Sequence, residues 1–168
     1  MKKLGPLALV ALVFGLSLGG AIGCASLPVN NLLDSANAAQ IAAAATYQTA
    51  VTNEQAAEAT CRAALTAKAL PLPVTPAAVA PACASVNVPL PYDPVKLTQA
   101  SIAINSLYDG IRTANTIKTQ LGAGASLPQT ALTDLAALFT NVVADVTAAG
   151  VTLPPSVTAI AGQLGGTP

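Results

Sequence analysis

From Asn31 to Leu70 the chain runs without Pro or Gly, and small or apolar side chains return at helical spacing. Ala36, Ala43, Ala50, Ala57 and Ala64 fall seven apart, flanked on neighbouring turns by Ala39, Tyr47, Val51, Cys61 and Leu65. A seven-residue recurrence keeps one stripe of a helix turned to one partner, and small side chains there let two backbones come close. The pattern predicts one long helix over 31–70, with Asn31 as its N-cap and Asp34 in the first turn. In a chain with 37 alanines a filled heptad also arises from composition alone, so a packed seam and an accident both stand at this point.

The next stretch breaks every helical rule. Pro71, Pro73, Pro76, Pro81, Pro89, Pro91 and Pro94 punctuate it, and proline removes a backbone donor and clashes with the preceding turn. The expectation is an extended or polyproline II connector over 71–93. Asp93-Pro94 then combines an N-cap acceptor with proline at the first helical position. Leu97, Ile104, Leu107, Ile111, Ala114, Ile117 and Leu121 carry one apolar face through a helix over 94–121, with Gly110 tolerated inside it. Gly122 to Gly124 ends that helix. Leu132, Leu135, Phe139, Val142 and Val146, spaced 3, 4, 3, 4, predict a helix over 128–149, and Pro155 opens a short one over 155–164 before a tail at 165–168. The expected fold class is all-α: a small helical bundle of about three helices spanning residues 31–164, with a Pro-rich connector between the first and second.

Composition narrows what such a bundle does. Of 168 residues, 8% are charged, 3% are aromatic, and His and Trp are missing. Without His the commonest general base and the usual zinc ligand are gone. Seven basic groups balance seven acidic ones, so no basic surplus exists to neutralise phosphates and nucleic acid is not expected as a partner. No G-x-S-x-G elbow, P-loop or dinucleotide glycine fingerprint occurs. No catalytic residue, cofactor site or metal site is therefore assigned, and the expectation is a protein that is not an enzyme. Glu54 and Glu58 lie at helical spacing with no third ligand in sequence. Glu58 and Arg62, four apart, form a solvated helix pair. Tyr47, Tyr92 and Tyr108 are too few for a stacking platform. A Ser–Lys dyad drawn from Lys68, Lys96 or Lys118 is a third, weak reading.

The amino terminus carries an address. Met1-Lys2-Lys3 is followed by an apolar run from Leu7 to Leu18 and then by Gly19-Gly20-Ala21-Ile22-Gly23-Cys24. That is the three-part plan of a secretory signal. Ala21-Ile22-Gly23-Cys24 resembles the lipobox of bacterial lipoprotein precursors, although the family prefers Leu where Ala21 stands. The resemblance covers only residues 1–24 and is silent on the fold. It implies that residues 1–23 are removed, that Cys24 is lipidated as the new amino terminus, and that residues 24–30 tether the domain to the membrane through acyl chains. Several chains on one residue exceed the marginal binding of a single chain. Ala25-Ser26 lacks the aspartate that retains enterobacterial lipoproteins in the inner membrane, which implies a cell outer membrane anchor on the periplasmic face. Leu4 to Gly23 also gives 20 residues, enough to cross a bilayer uncleaved, so a signal-anchor protein serving as an assembly subunit remains the alternative.

With Cys24 acylated, Cys61 and Cys83 remain as a pair in an oxidising space, where a disulfide forms and persists. It would strap the connector to the first helix, and closing a loop of this size is worth about 3 kcal/mol. The mature chain would hold five basic and seven acidic groups, a net charge of −2. Its helix faces are clad in Thr, Asn, Gln, Ser and Ala, where a soluble bundle usually shows about a quarter charged residues. Such a surface repels like copies weakly. The functional expectation is a non-catalytic structural or interaction component of the envelope, from a bacterium or one of its phages, that self-associates or docks on another envelope protein.

Overall fold

The computed structural model describes residues 29–122 and 125–165. The expected signal, the lipobox-like stretch with Cys24, most of the expected tether, Ala123, Gly124 and most of the tail lie outside them. Five helices are present among the described residues: α1 (Val29–Ala67), α2 (Pro76–Ser85), α3 (Pro94–Leu121), α4 (Gln129–Ala148) and α5 (Pro155–Gly165). The chain is all-α, as expected, but with five helices rather than about three. The additional long-range element is α2, ten residues inside the stretch expected to be extended.

Its formation has a local reason and a tertiary one. Pro76 occupies the first helical position, where its missing N–H costs nothing. Pro81 lies inside the helix and deprives the Ala77 carbonyl of its partner. Both residues are exposed, so water can serve that carbonyl. The remaining cost is met from outside the helix, because Val79 and Cys83 are buried against α1. Seven prolines are thus compatible with a helix when two of them take tolerable positions and a neighbouring element holds the product in place.

Three helix ends close in the same way. Residues Ala69 (φ 52°), Asn87 (φ 58°) and Gly150 (φ 86°) take the left-handed conformation just past α1, α2 and α4. Leu70, Val88 and Val151 then donate to the carbonyls of Leu65, Cys83 and Val146, five residues back. This is the Schellman closure, in which a left-handed residue turns the chain and satisfies the last free carbonyls. Asp93 caps α3 as its sequence predicts, its Oδ1 accepting from the Val95 N–H at 2.9 Å and the Lys96 N–H at 3.2 Å. Asn31, by contrast, lies inside the first turn of α1 rather than capping it. Asparagine is only moderately unfavourable within a helix, and the turn forms through it.

Helices α1, α3, α4 and α5 pack as a ring, each against two others: α1 on α3 and α5, and α4 on α3 and α5. Their inner faces form the main core, with Leu107, Leu135, Phe139, Val142, Val146 and Val157 sealed at its centre. The stripe read in α4 is the one buried, at Leu135, Phe139, Val142 and Val146. α4 is also long and apolar enough to cross a membrane by length and composition, but its apolar face is the part that fills this core. Ala36, Ala43 and Ala50 of the heptad are buried in the main core with Ala39, whereas Ala57 and Ala64 are half-buried. Gly110 sits mid-helix where α4 approaches: a Cβ there would run into Leu138 Cδ1.

α2 stands apart from this body. It leans on the second half of α1 and on α3, around a separate small cluster of Cys61, Leu65, Val79, Cys83 and Val86.

Candidate functional site

The residues with the most chemistry gather where the second half of α1 meets the connector and the start of α3. Helical spacing puts Glu54, Glu58, Cys61 and Leu65 on the side of α1 that the connector crosses. Cys61 and Cys83 are bonded, with their Cα atoms 5.3 Å apart, and both sulfurs are sealed from water. The disulfide therefore does strap the connector to α1, through a turn of α2 rather than through extended chain.

Glu54 is the second attachment. It is 4% exposed, and its Oε2 accepts the Tyr92 backbone N–H at 3.1 Å. Its Oε1 is buried without a hydrogen-bond partner. A carboxylate in that position is poorly solvated, so burial pushes the Glu54 pKa above its ordinary value. The Tyr92 N–H works in the opposite direction, and the neighbouring Glu58 and Asp93 carboxylates add to the rise. In sequence Glu54 pairs with Glu58 at helical spacing and shows no partner of its own. The signal that could have placed it is its row: Gln40, Tyr47, Glu54 and Cys61 recur every seven residues beside the alanine seam, so a carboxylate there must meet a neighbour.

Next to this junction lies an open cleft of about 290 Å³. Glu58 and Arg62 from α1 form one wall, Pro73 to Pro76 and Val79 the second, and Pro94 and Thr98 of α3 the third. Arg62 Nη2 stands 3.9 Å from Glu58 Oε2, the i, i+4 pair expected from spacing, and an exposed pair of this kind contributes about 0.3–0.5 kcal/mol. The cleft thus has proline and valine walls and one weakly paired cation and anion at its rim. Among the described residues no group of three or more Cys, Asp or Glu side chains is placed to hold a metal ion.

Of the three lysines considered for a Ser–Lys dyad, Lys118 donates from Nζ to the Ala125 carbonyl at 2.6 Å, tying the α3–α4 turn, and Lys68 and Lys96 are exposed. Tyr47 and Tyr92 pack at the edge of the main core, whereas Tyr108 points to solvent.

The helix surfaces carry a further regularity. Among the described residues eleven threonine hydroxyls donate to the carbonyl four residues earlier, including Thr46, Thr49, Thr52, Thr60 and Thr66 on α1. Each such bond satisfies the hydroxyl's one donor without water. The surface is therefore less demanding of solvent than its threonine content suggests.

No family model matches the chain, and no curated protein and no solved structure is detectably similar to it.

Proposed function

We propose that the chain is a lipid-anchored periplasmic protein of the bacterial outer membrane with a non-catalytic structural or protein-interaction role. The observation that carries this reading is the run from Lys2-Lys3 through Leu7–Leu18 to Ala21-Ile22-Gly23-Cys24. The Cys61–Cys83 disulfide supports it, because such bonds persist in oxidising compartments. A helix surface poor in charge and rich in self-satisfied threonine supports the interaction role, since docking it against a second copy or another envelope protein strips little bound water.

The test is the intact mass of protein extracted from membranes, together with acyl labelling of wild type and Cys24→Ser. The expected result is a chain that begins at an acylated Cys24, and loss of labelling in the variant. A full-length chain beginning at Met1 would favour the signal-anchor reading, in which Leu4 to Gly23 spans the inner membrane. Complete cleavage with unchanged anchoring of Cys24→Ser would overturn lipidation.

A further inference from the structure

The two hydrophobic clusters are unequal, and the smaller one is built around its own cross-link. Among the described residues the main cluster counts 22 buried residues, 19 from four helices and Leu127, Ala149 and Val151 from the connections between them. The smaller has five, of which two are the cysteines themselves; Leu65, Val79 and Val86 are the other three, with Ala64, Ala82, Val88 and Leu90 partly buried against them. This small set must hold α2 and its flanking loops, a segment whose sequence disfavours helix at Pro81 and whose residues Leu70, Leu72 and Val74 remain exposed. The ordering of such a segment costs conformational entropy at every residue, and three buried aliphatic side chains are a small return. The disulfide changes that balance by limiting how far the segment can depart from α1.

We infer that the Cys61–Cys83 disulfide is a redox-governed clasp: oxidised, it docks α2 on α1 and builds the cleft; reduced, it lets residues 68–91 leave while the body of α1, α3, α4 and α5 stays folded. The cleft depends on the clasp because Pro73 to Pro76 and Val79 form one of its walls. The connector's other attachment, the Tyr92 N–H on Glu54, lies on the body side of the hinge, where Tyr92 packs on the main core. Release therefore stops at about residue 91. The last turns of α1, beyond Glu54, lose their covering and fray with α2, since a short uncovered helix is marginal in water. Closing the clasp is a thiol–disulfide exchange. The two thiols pass two electrons and two protons to a small-molecule disulfide such as oxidised glutathione, which departs as two thiols, and a dithiol reverses the step. Both sulfurs are sealed in the docked state, so reduction has to wait for local opening. The clasp rests on the packing alone and is independent of the lipid anchor.

Amide hydrogen exchange on the full chain tests it, comparing the oxidised protein, the same protein reduced with excess dithiothreitol, and the variant Cys61→Ala/Cys83→Ala. The expected result in both thiol-reduced and cysteine-free forms is exchange at least tenfold faster over α2 and the last turns of α1, with α3 and α4 changed by less than about twofold. Reoxidation with oxidised glutathione should restore protection in the reduced protein and leave the variant unchanged. Protection of α2 that survives both reduction and double substitution would overturn the clasp. So would loss of protection throughout the chain in either form, because the two clusters would then unfold as one.

Discussion

The body and the α2 region are both rich in alanine, yet they are held by different means. In the body, four helices converge and each apolar stripe has two others to face, so Phe139, Leu107 and Leu135 are buried completely. At α2 a single short helix leans on α1 and on α3 at the edge of the body, with three buried aliphatic side chains, a few partly buried ones and a covalent bond. Burial scales with the number of elements that converge, whereas a cross-link acts by restricting the unfolded chain. The contrast teaches that apolar composition does not by itself set cohesion: what matters is how many faces meet.

Substitution at the centre of the body should have the largest effect. Phe139→Ala is expected to cost about 3–5 kcal/mol through lost burial and a cavity, read as a fall in the urea midpoint of the whole chain. A loss below about 1 kcal/mol would mean the body is held no better than α2, and the comparison would collapse.

Next comes the seam between α1 and its ring partners. Ala50 is sealed, so Ala50→Leu overpacks the contact and should destabilise by about 1–3 kcal/mol. Ala45 is exposed on another face of the same helix, and Ala45→Leu should be nearly neutral, since leucine's helix propensity is close to alanine's. Equal tolerance at both positions in urea unfolding would make the heptad an accident of composition.

The α3–α4 contact offers a smaller, sharper test. Gly110→Ala should gain about 1 kcal/mol of helix propensity, but its Cβ meets Leu138 Cδ1, the end of a half-buried side chain that must rotate aside, so the gain is reduced. In a Leu138→Ala background the same substitution should show its full gain. A double-mutant cycle in urea measures the difference, and additive effects would show that Leu138 moves aside without cost.

The smallest effect concerns Glu54. Its folded pKa lies above the ordinary 4.5, so between 4.5 and the folded value the native state binds more protons than the unfolded one. Stability contributed by this group is then present at low pH, declines as pH rises through that window and is flat above it. Glu54→Gln should remove this slope, visible as a difference between thermal midpoints of the two proteins that grows with pH and then levels. A difference of opposite sign would mean that the Tyr92 N–H outweighs burial.

Much of the helical architecture is legible locally. Asp93-Pro94 states its own cap, the 3, 4, 3, 4 rhythm of Leu132 to Val146 states a buried face, and Gly150 states a helix end. The Cys61–Cys83 disulfide expected from the sequence is formed. The α2 helix is not legible, because local rules weigh Pro81 as a breaker and cannot see the neighbour that holds the helix in place.

Sequence alone therefore determined the all-helical class, the buried face of α4 and the cap of α3, since periodicity and capping act within a few residues of the chain. Tertiary structure alone decided which alanines of the heptad are sealed, that Gly110 makes room for Leu138, that Glu54 is buried against the Tyr92 N–H, and that α2 exists at all. Each of these depends on what a distant segment brings to within a few ångströms, where desolvation and volume exclusion outweigh local preference.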